Sequence, residues 1–271
     1  MKLSVPDRSI EDLEQAVIGT LVPLADPARA RWIHDYMRGK FEFLGIATPV
    51  RRSATLPLLR SFEPVNAAGL LRAARHFWKM KERDYRWVAL DLLDCHRSLL
   101  GVRHVPALLE LVQQESWWDT VDSLAGLIGS IVRQDRAAGQ RLMDRAVQSE
   151  NLWVRRVAML HQLGWRGETD SRRLFGYAER LAPDQDFFIR KAIGWALRDY
   201  AKHDRRAVES FIRRARTGLS LLSRREALRT RTQMRAETGT TARDQNSTAP
   251  AWGKTRLKQR KNTKTRTTES T

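Results

Sequence analysis

The chain has 271 residues, of which 42% are hydrophobic, and carries a formal net charge of +18 with a pI near 11.0. This length and apolar content suffice for one sizeable core without disulfides or metals. Cys95 is the single cysteine, which excludes an intramolecular disulfide and a cysteine-based zinc cluster and predicts a reducing, cytoplasmic setting. No apolar stretch approaches the roughly 20 residues of a membrane span, and residues 1–7 lack a signal peptide's apolar run. We therefore expect a soluble protein with no membrane partner.

The positive charge indicates a polyanionic partner, nucleic acid before an anionic membrane. From Ala236 to the end the chain has eight Lys and Arg against three Asp and Glu, which leaves about +13 on residues 1–235. The charge is thus a property of the body. Residues 236–271 are rich in Thr, Arg, Lys and Asn and almost free of apolar side chains, a composition that cannot repay the entropy of ordering. We predict one domain at residues 1–235 and a disordered basic tail at residues 236–271.

Apolar residues in the body recur at helical spacing, and no run alternates with the period of a strand. The predicted fold class is all-α. In chain order, the predicted helices cover Ser9–Val22, Pro27–Phe43, Val65–Trp78, Arg83–His96, Pro106–Gln113, Trp118–Arg133, Asp135–Ser149, Leu152–Leu163, Ser171–Ala182, Phe187–His203 and Arg205–Arg216.

A weak internal repeat runs through these helices. Four segments begin with an aromatic residue, Tyr85, Trp118, Trp153 and Phe188, at spacings of 33, 35 and 35 residues. That length fits two helices per repeat, and stacked repeats place equivalent helices along one wall. The tetratricopeptide consensus is not evident. The sequence therefore predicts a HEAT-like helical-repeat solenoid with a concave basic groove.

One helical face of the aligned segments is apolar except for three charged residues. These are Asp122, Arg156 and Lys191, and they are accompanied by Trp118 and Trp195. A carboxylate in an aromatic, basic cleft can stabilise an oxocarbenium-like sugar, with a Coulomb term of roughly 4 kcal/mol at about 4 Å, or about a thousandfold in rate. Indole faces add cation–π attraction. The two basic residues would then hold phosphates.

Each of these residues also has a structural interpretation. Asp122 could be the ion-pair partner of an arginine, Trp118 and Trp195 could be core residues, and Arg156 and Lys191 could lie on a solvated face. The six histidines show no metal-ligand spacing, and the chain has no Walker loop or dinucleotide fingerprint. We therefore expect neither a metal nor a cofactor.

Five segments together resemble the AlkD-like family of DNA alkylation repair enzymes, which are HEAT-repeat glycosylases. The resemblance covers about Ala28 to Leu228. The segments that carry it are Tyr36–Arg52, Ser116–Ser123, Asn151–Arg156, Phe187–Tyr200 and Leu222–Ala227. The long basic tail is not part of the family pattern.

The resemblance implies roles for individual residues. Asp122 would be the catalytic carboxylate, with Trp118 and Trp195 as aromatic walls against the lesion nucleotide. The implied DNA contacts are Arg156 on a phosphate and Tyr36 at the edge of the cleft. Apart from the resemblance, we predict that Lys191 and Arg190 also bind DNA.

The implied activity is monofunctional excision of positively charged alkylated purines, N3-alkyladenine and N7-alkylguanine, from duplex DNA during base excision repair. Such bases leave as neutral molecules, so no general acid is required, and the implied groove has no deep base pocket. An enzyme of this kind can act as a monomer. Two other interpretations stay open: a noncatalytic DNA-structure binder that uses the same groove, and a protein-binding scaffold whose charge is incidental.

Overall fold

A computed structural model describes residues 10–215 and 218–229 of the chain. Within these residues every regular element is helical, which confirms the all-α prediction. The helices are α1 Ile10–Leu21, α2 Pro27–Tyr36, α3 Thr48–Ser61, α4 Ala67–Trp78, α5 Arg83–Cys95, α6 Val105–Val112, α7 Trp118–Gln134, α8 Arg136–Ala146, α9 Leu152–Leu160, α10 Ser171–Leu181, α11 Phe187–Ala201, α12 Arg205–Arg214 and α13 Leu221–Leu228. No helix in this part of the chain is long and apolar enough to cross a bilayer. The predicted tail at residues 236–271, and the end residues Ser9 and Arg216 of two predicted helices, lie outside the described residues.

Side-chain caps fix where several helices begin. α9 starts after Asn151, whose side-chain oxygen accepts a hydrogen bond from the Trp153 amide at 2.9 Å. α11 starts after Asp186, which accepts in the same way from the Phe188 amide at 2.7 Å. A cap of this type satisfies amides that the helix itself leaves unpaired. Two of the repeated aromatic residues are therefore held at equivalent positions in the first turns of their helices.

The helices form two layers. In one layer α3, α5, α7, α9, α11 and α13 pack in sequence, and we call this the odd-numbered layer. The helices α4, α6, α8, α10 and α12 each pack against helices of this layer. This arrangement confirms the helical-repeat solenoid, whereas the concave basic groove remains a prediction.

Ion pairs join successive helices of the odd-numbered layer, and two of them, Arg51–Asp91 and Arg83–Asp119, are buried on both sides. Such pairs are costly to desolvate unless their geometry is good, and breaking one by removing a single partner is strongly destabilising. The pairs, with their nitrogen–oxygen distances, are Arg51–Asp91 between α3 and α5 at 3.0 Å, Arg83–Asp119 between α5 and α7 at 2.8 Å, Asp122–Arg156 between α7 and α9 at 2.7 Å, and Lys191–Glu226 between α11 and α13 at 2.8 Å.

The predicted helix Pro27–Phe43 is wrong in its second half. α2 ends at Tyr36, and Arg38 and Gly39 adopt positive φ angles of 60° and 70°, which a continuing helix cannot accommodate. Residues 40–47 are not helical, and Phe41 and Phe43 both face inward, as alternate residues of an extended chain do. Because the Leu44 amide donates to Asp84 at 2.8 Å, this segment docks on the start of α5.

Two helices, α3 and α13, are absent from the sequence prediction. Both have polar residues on the buried face: Arg51 and Thr55 in α3, and Ser223 and Glu226 in α13. α3 also has Pro57 inside it. The corrected element order adds one helix before Val65 and one after Arg214.

A buried histidine between α8 and α9 makes stability depend on pH. His161 Nδ1 lies 2.7 Å from the Ala158 carbonyl oxygen, and Nε2 lies 3.1 Å from Gln140 Oε1. Burial lowers the pKa of His161 from 6.5 to about 4. Between pH 6.5 and 4, His161 therefore binds a proton in the unfolded chain but not in the folded chain. The free energy of unfolding falls as pH decreases through this range.

We expect His161 to remove about 3 kcal/mol from the free energy of unfolding between pH 6.5 and 4. Denaturant titrations at a series of pH values should show this loss in the wild type and a smaller loss in His161→Gln. Identical pH slopes for the two proteins would contradict the assignment.

Candidate active site

α7 presents Trp118 and Asp122 on one face, because residues four apart are neighbours on a helix surface. Trp118 is half-buried and opens the helix. The Asp122 side chain is 17% exposed, so part of it reaches the surface. These two predicted site residues are thus side by side at the surface of the odd-numbered layer.

The Asp122 carboxylate forms an ion pair with Arg156 of α9. Arg156 Nε donates to Asp122 Oδ1 at 2.7 Å and Nη2 donates to Oδ2 at 2.8 Å, a bidentate pair. Burial raises the pKa of the Asp122 carboxyl, and the guanidinium opposes that rise. Since a bidentate arginine is complementary to the ionised carboxylate, the pair holds the negative charge in a fixed orientation.

Arg156 is only 1% exposed, and its remaining terminal nitrogen, Nη1, donates to the Phe188 carbonyl. The ion-pair interpretation of Asp122 therefore describes a contact that exists in the structure. Contact of Arg156 with a phosphate stays a prediction. In the structure its guanidinium already donates to Asp122 and to the Phe188 carbonyl.

Trp195 of α11 closes the other side of Arg156. The guanidinium carbon lies 5.2 Å from the Trp195 ring centroid, within cation–π range. The indole Nε1 donates to Glu226 Oε2 of α13 at 3.2 Å. Trp195 is half-buried, so one part of the ring remains at the surface. The predicted set of Trp118, Asp122, Arg156 and Trp195 is therefore brought together on three adjacent helices.

Tyr36 approaches this set from α2. Its ring meets Trp118 edge-on, with centroids 6.1 Å apart, and is 53% exposed. Trp32, one turn earlier and 41% exposed, stacks on Tyr36 at 5.5 Å with the planes 7° apart. An aromatic row thus leads from solvent to the site. Sequence analysis predicted Tyr36 and missed Trp32, whose i, i+4 spacing from Tyr36 was the available signal.

Lys191 and Arg190 lie on α11 beside the site, and both have partners. Lys191 Nζ lies 2.8 Å from Glu226 Oε1. Arg190 Nε donates to the Asp184 carbonyl at 3.1 Å, and another of its nitrogens contacts Gln185. Both side chains are partly exposed. If Lys191 and Arg190 bind DNA as predicted, they must do so with N–H groups that are not already bonded to these partners.

Glu226 is a site-adjacent residue that sequence reasoning missed. It contacts Lys191, Trp195 and Arg198. It falls within the resemblance segment Leu222–Ala227, but nothing in that segment's own pattern indicates which distant cations the carboxylate meets.

Comparison with known protein families matches residues 17–230 to a family described as DNA alkylation repair enzyme. The chain belongs to this family. A role in DNA alkylation repair follows. The structure is also similar to a solved structure described as "Predicted DNA alkylation repair enzyme from Enterococcus faecalis", with a TM-score of 0.72 and 30% sequence identity over 77% of this chain and 97% of that one. Among functionally curated proteins, no relative matches.

For this DNA alkylation repair protein, the assembled side chains define a specific chemical environment. Asp122 supplies fixed negative charge, Trp118 and Trp195 supply flat apolar faces, and Arg156 supplies the compensating positive charge. Within the described residues, no group of His, Cys, Asp and Glu is arranged to hold a metal ion. The arrangement suits electrostatic stabilisation of a cation more than proton transfer or nucleophilic attack by a serine or cysteine.

Proposed function

We propose that this protein is a monofunctional DNA glycosylase that excises positively charged alkylated purines from duplex DNA. Its substrates would be N3-alkyladenine and N7-alkylguanine, whose release starts base excision repair. The observation that carries the proposal is the Asp122 carboxylate, on a side chain that is 17% exposed, set beside Trp118 and oriented by Arg156.

The proposed reaction breaks the bond between C1′ of the sugar and the base nitrogen. The electron pair of that bond goes to the base, which neutralises its positive charge and makes protonation unnecessary. The sugar becomes oxocarbenium-like, and its positive charge is stabilised by Asp122 and by the indole faces. Water then adds to C1′ and loses a proton to solvent, which leaves an abasic site and a free neutral base.

The decisive assay uses the full chain and a duplex that carries a single N7-methylguanine or N3-methyladenine. Free base should appear with single-turnover kinetics, together with an abasic site that alkali or a separate abasic-site nuclease cleaves. The protein alone should leave the strand intact, as a monofunctional enzyme does. Absence of released base above the spontaneous rate would refute the proposal.

A second candidate function is noncatalytic recognition of damaged DNA. The observation that favours it is the bidentate pairing of Asp122 with Arg156, because a structural ion pair has the same geometry. The two candidates differ in the assay above: a binder retards methylated duplex in a gel and releases no base.

Either candidate requires DNA binding, which we propose to be electrostatic and to use the predicted basic groove with the protein as a monomer. The expected log–log slope of affinity against salt is about −0.9 for each phosphate neutralised. Fluorescence anisotropy of an undamaged duplex between low and physiological salt measures it. A nearly flat dependence would contradict a groove that follows the phosphates.

A further inference from the structure

We propose that Glu226 is a positioning residue. Through hydrogen bonds it holds the Trp195 indole beside the site, and it fixes the side chains of Lys191 and Arg198 on the same helix, α11. This inference deepens the proposed function and rests on it where base release is measured. Its binding and spectroscopic consequences can be measured without any base release.

The Glu226 carboxylate accepts hydrogen bonds from four donors, three of them on α11 and the fourth on Arg229, directly after α13. Oε1 accepts from Lys191 Nζ at 2.8 Å, and Oε2 accepts from Arg198 Nη1 at 2.8 Å and from the Trp195 indole at 3.2 Å. Arg229 Nη1 lies 3.3 Å from Oε1. The Glu226 side chain is 8% exposed. The orientation of Trp195 is therefore tied to a carboxylate with little freedom to move.

Packing brings this carboxylate close to α11. A Cβ at Gly194 would lie 2.4 Å from the Glu226 Cβ, so only glycine permits this approach of α13. Ser223 Oγ adds a second tie, because it donates to the Arg190 carbonyl at 2.9 Å. α13 is thus seated on α11 beside the residues that the proposed site uses.

The charges around Glu226 distinguish a positioning role from a purely structural one. Burial acts to raise the pKa of Glu226, but the hydrogen bonds from Lys191 and Arg198 outweigh it, so the pKa is lowered and the carboxylate is ionised. One negative charge faces three cations, which leaves an excess of positive charge. Removing the negative charge of Glu226 should strengthen the attraction of these cations for phosphates. It should also leave the Trp195 indole less firmly held. A purely structural contact would weaken binding and catalysis together.

The test compares the full-length wild type with Glu226→Gln and Glu226→Asp. Glu226→Gln should bind undamaged duplex more tightly, with a salt slope steeper by about 0.9 for each additional phosphate engaged. On saturating methylated duplex it should release base about tenfold more slowly, as expected for loss of one charge-assisted hydrogen bond. Glu226→Asp retains the charge and shortens the reach, so it should lose rate at wild-type affinity.

Trp195→Phe shows whether the effect on rate passes through the indole. In that background Glu226→Gln should cause no further loss of rate. The fluorescence of Trp195, obtained as the difference between wild type and Trp195→Phe, should shift in Glu226→Gln whether or not the protein releases base.

A matched control is Asp144→Asn. Asp144 accepts hydrogen bonds from Arg173 and Tyr177 between α8 and α10, in the other layer, and should affect stability without changing the base-release rate or Trp195 emission. Unchanged Trp195 emission in Glu226→Gln, or an equal loss of rate with and without Trp195, would overturn the proposal. If wild type releases no base while Trp195 emission and DNA affinity shift as expected, the proposed function fails and the positioning role stands.

Discussion

Asp122→Asn should leave a folded, DNA-binding protein that releases cationic purines about ten- to a thousandfold more slowly, the span of a partly screened interaction of about 1.4–4 kcal/mol. The amide keeps the shape of the side chain and one acceptor for Arg156, but it removes the charge that would stabilise the sugar cation. Affinity for DNA should hold or rise, since a carboxylate repels phosphates. Single-turnover release under saturating protein measures the rate.

The ion pair with Arg156 makes a matched control necessary, because the substitution also leaves a buried guanidinium partly uncompensated. Asp119→Asn provides that control. Asp119 lies one turn earlier on α7 and holds Arg83 in the same bidentate way, at 3.1 and 2.8 Å, while it also accepts from the Trp87 indole. It should lower the melting temperature at least as much as Asp122→Asn and retain base release within about threefold where both proteins are folded.

Two patterns would remove Asp122 from the mechanism. One is a normal rate of base release in well-folded Asp122→Asn. The other is an equal loss of rate in both variants that follows their melting temperatures, which would make the ion pair structural and favour the noncatalytic DNA binder.

The sequence predicted the helices in which several apolar residues recur at helical spacing, even where the same helix also buries charged side chains, as α5 buries Asp84 and Asp91. α5 was predicted as Arg83–His96 and observed as Arg83–Cys95, and α7 as Trp118–Arg133 against Trp118–Gln134. In both helices apolar residues recur on the face that packs on neighbouring helices, so hydrophobic spacing carries the signal.

The sequence failed where only one apolar residue marks the buried face or where the backbone turns. α13 buries Ser223 and Glu226, and α3 buries Arg51 and Thr55, which spacing rules assign to solvent. α2 was extended too far because Phe41 continues its apolar pattern, while the positive φ of Arg38 ends the helix. Polar burial depends on partners that lie far away in the sequence, and a single helix does not display them.

The sequence predicted which residues form the candidate site better than it predicted the contacts between them. Charged residues on an apolar face marked Asp122 and Arg156, which are 34 residues apart and meet across two helices. Their pairing depends on the register between α7 and α9, which no local pattern encodes. The phosphate role assigned to Arg156 therefore competes with a second role, in which Arg156 is the arginine that pairs with Asp122 and orients it.

Substitution of Arg156 by methionine should separate these two roles. Met has a similar length and no charge, so Asp122 loses both hydrogen bonds and its counter-charge. Breaking a buried pair on one side should cost about 3 kcal/mol of stability. The pKa of the Asp122 carboxyl, already raised by burial, should rise further, because the guanidinium that opposed the rise is gone.

If Arg156 orients and ionises Asp122, Arg156→Met should release N3-methyladenine more slowly than wild type and regain rate as pH rises, because a further raised pKa of the Asp122 carboxyl leaves less of it ionised at low pH. Arg156→Lys should shift this profile back, and Asp122→Asn should stay slow at every pH. If Arg156 contacts phosphate instead, Arg156→Met should weaken DNA binding, reduce the salt slope by about 0.9 and leave the rate at saturation independent of pH. A pH-independent rate in a folded Arg156→Met variant would therefore reject the orienting role, since a carboxyl without its counter-charge must titrate at a higher pH.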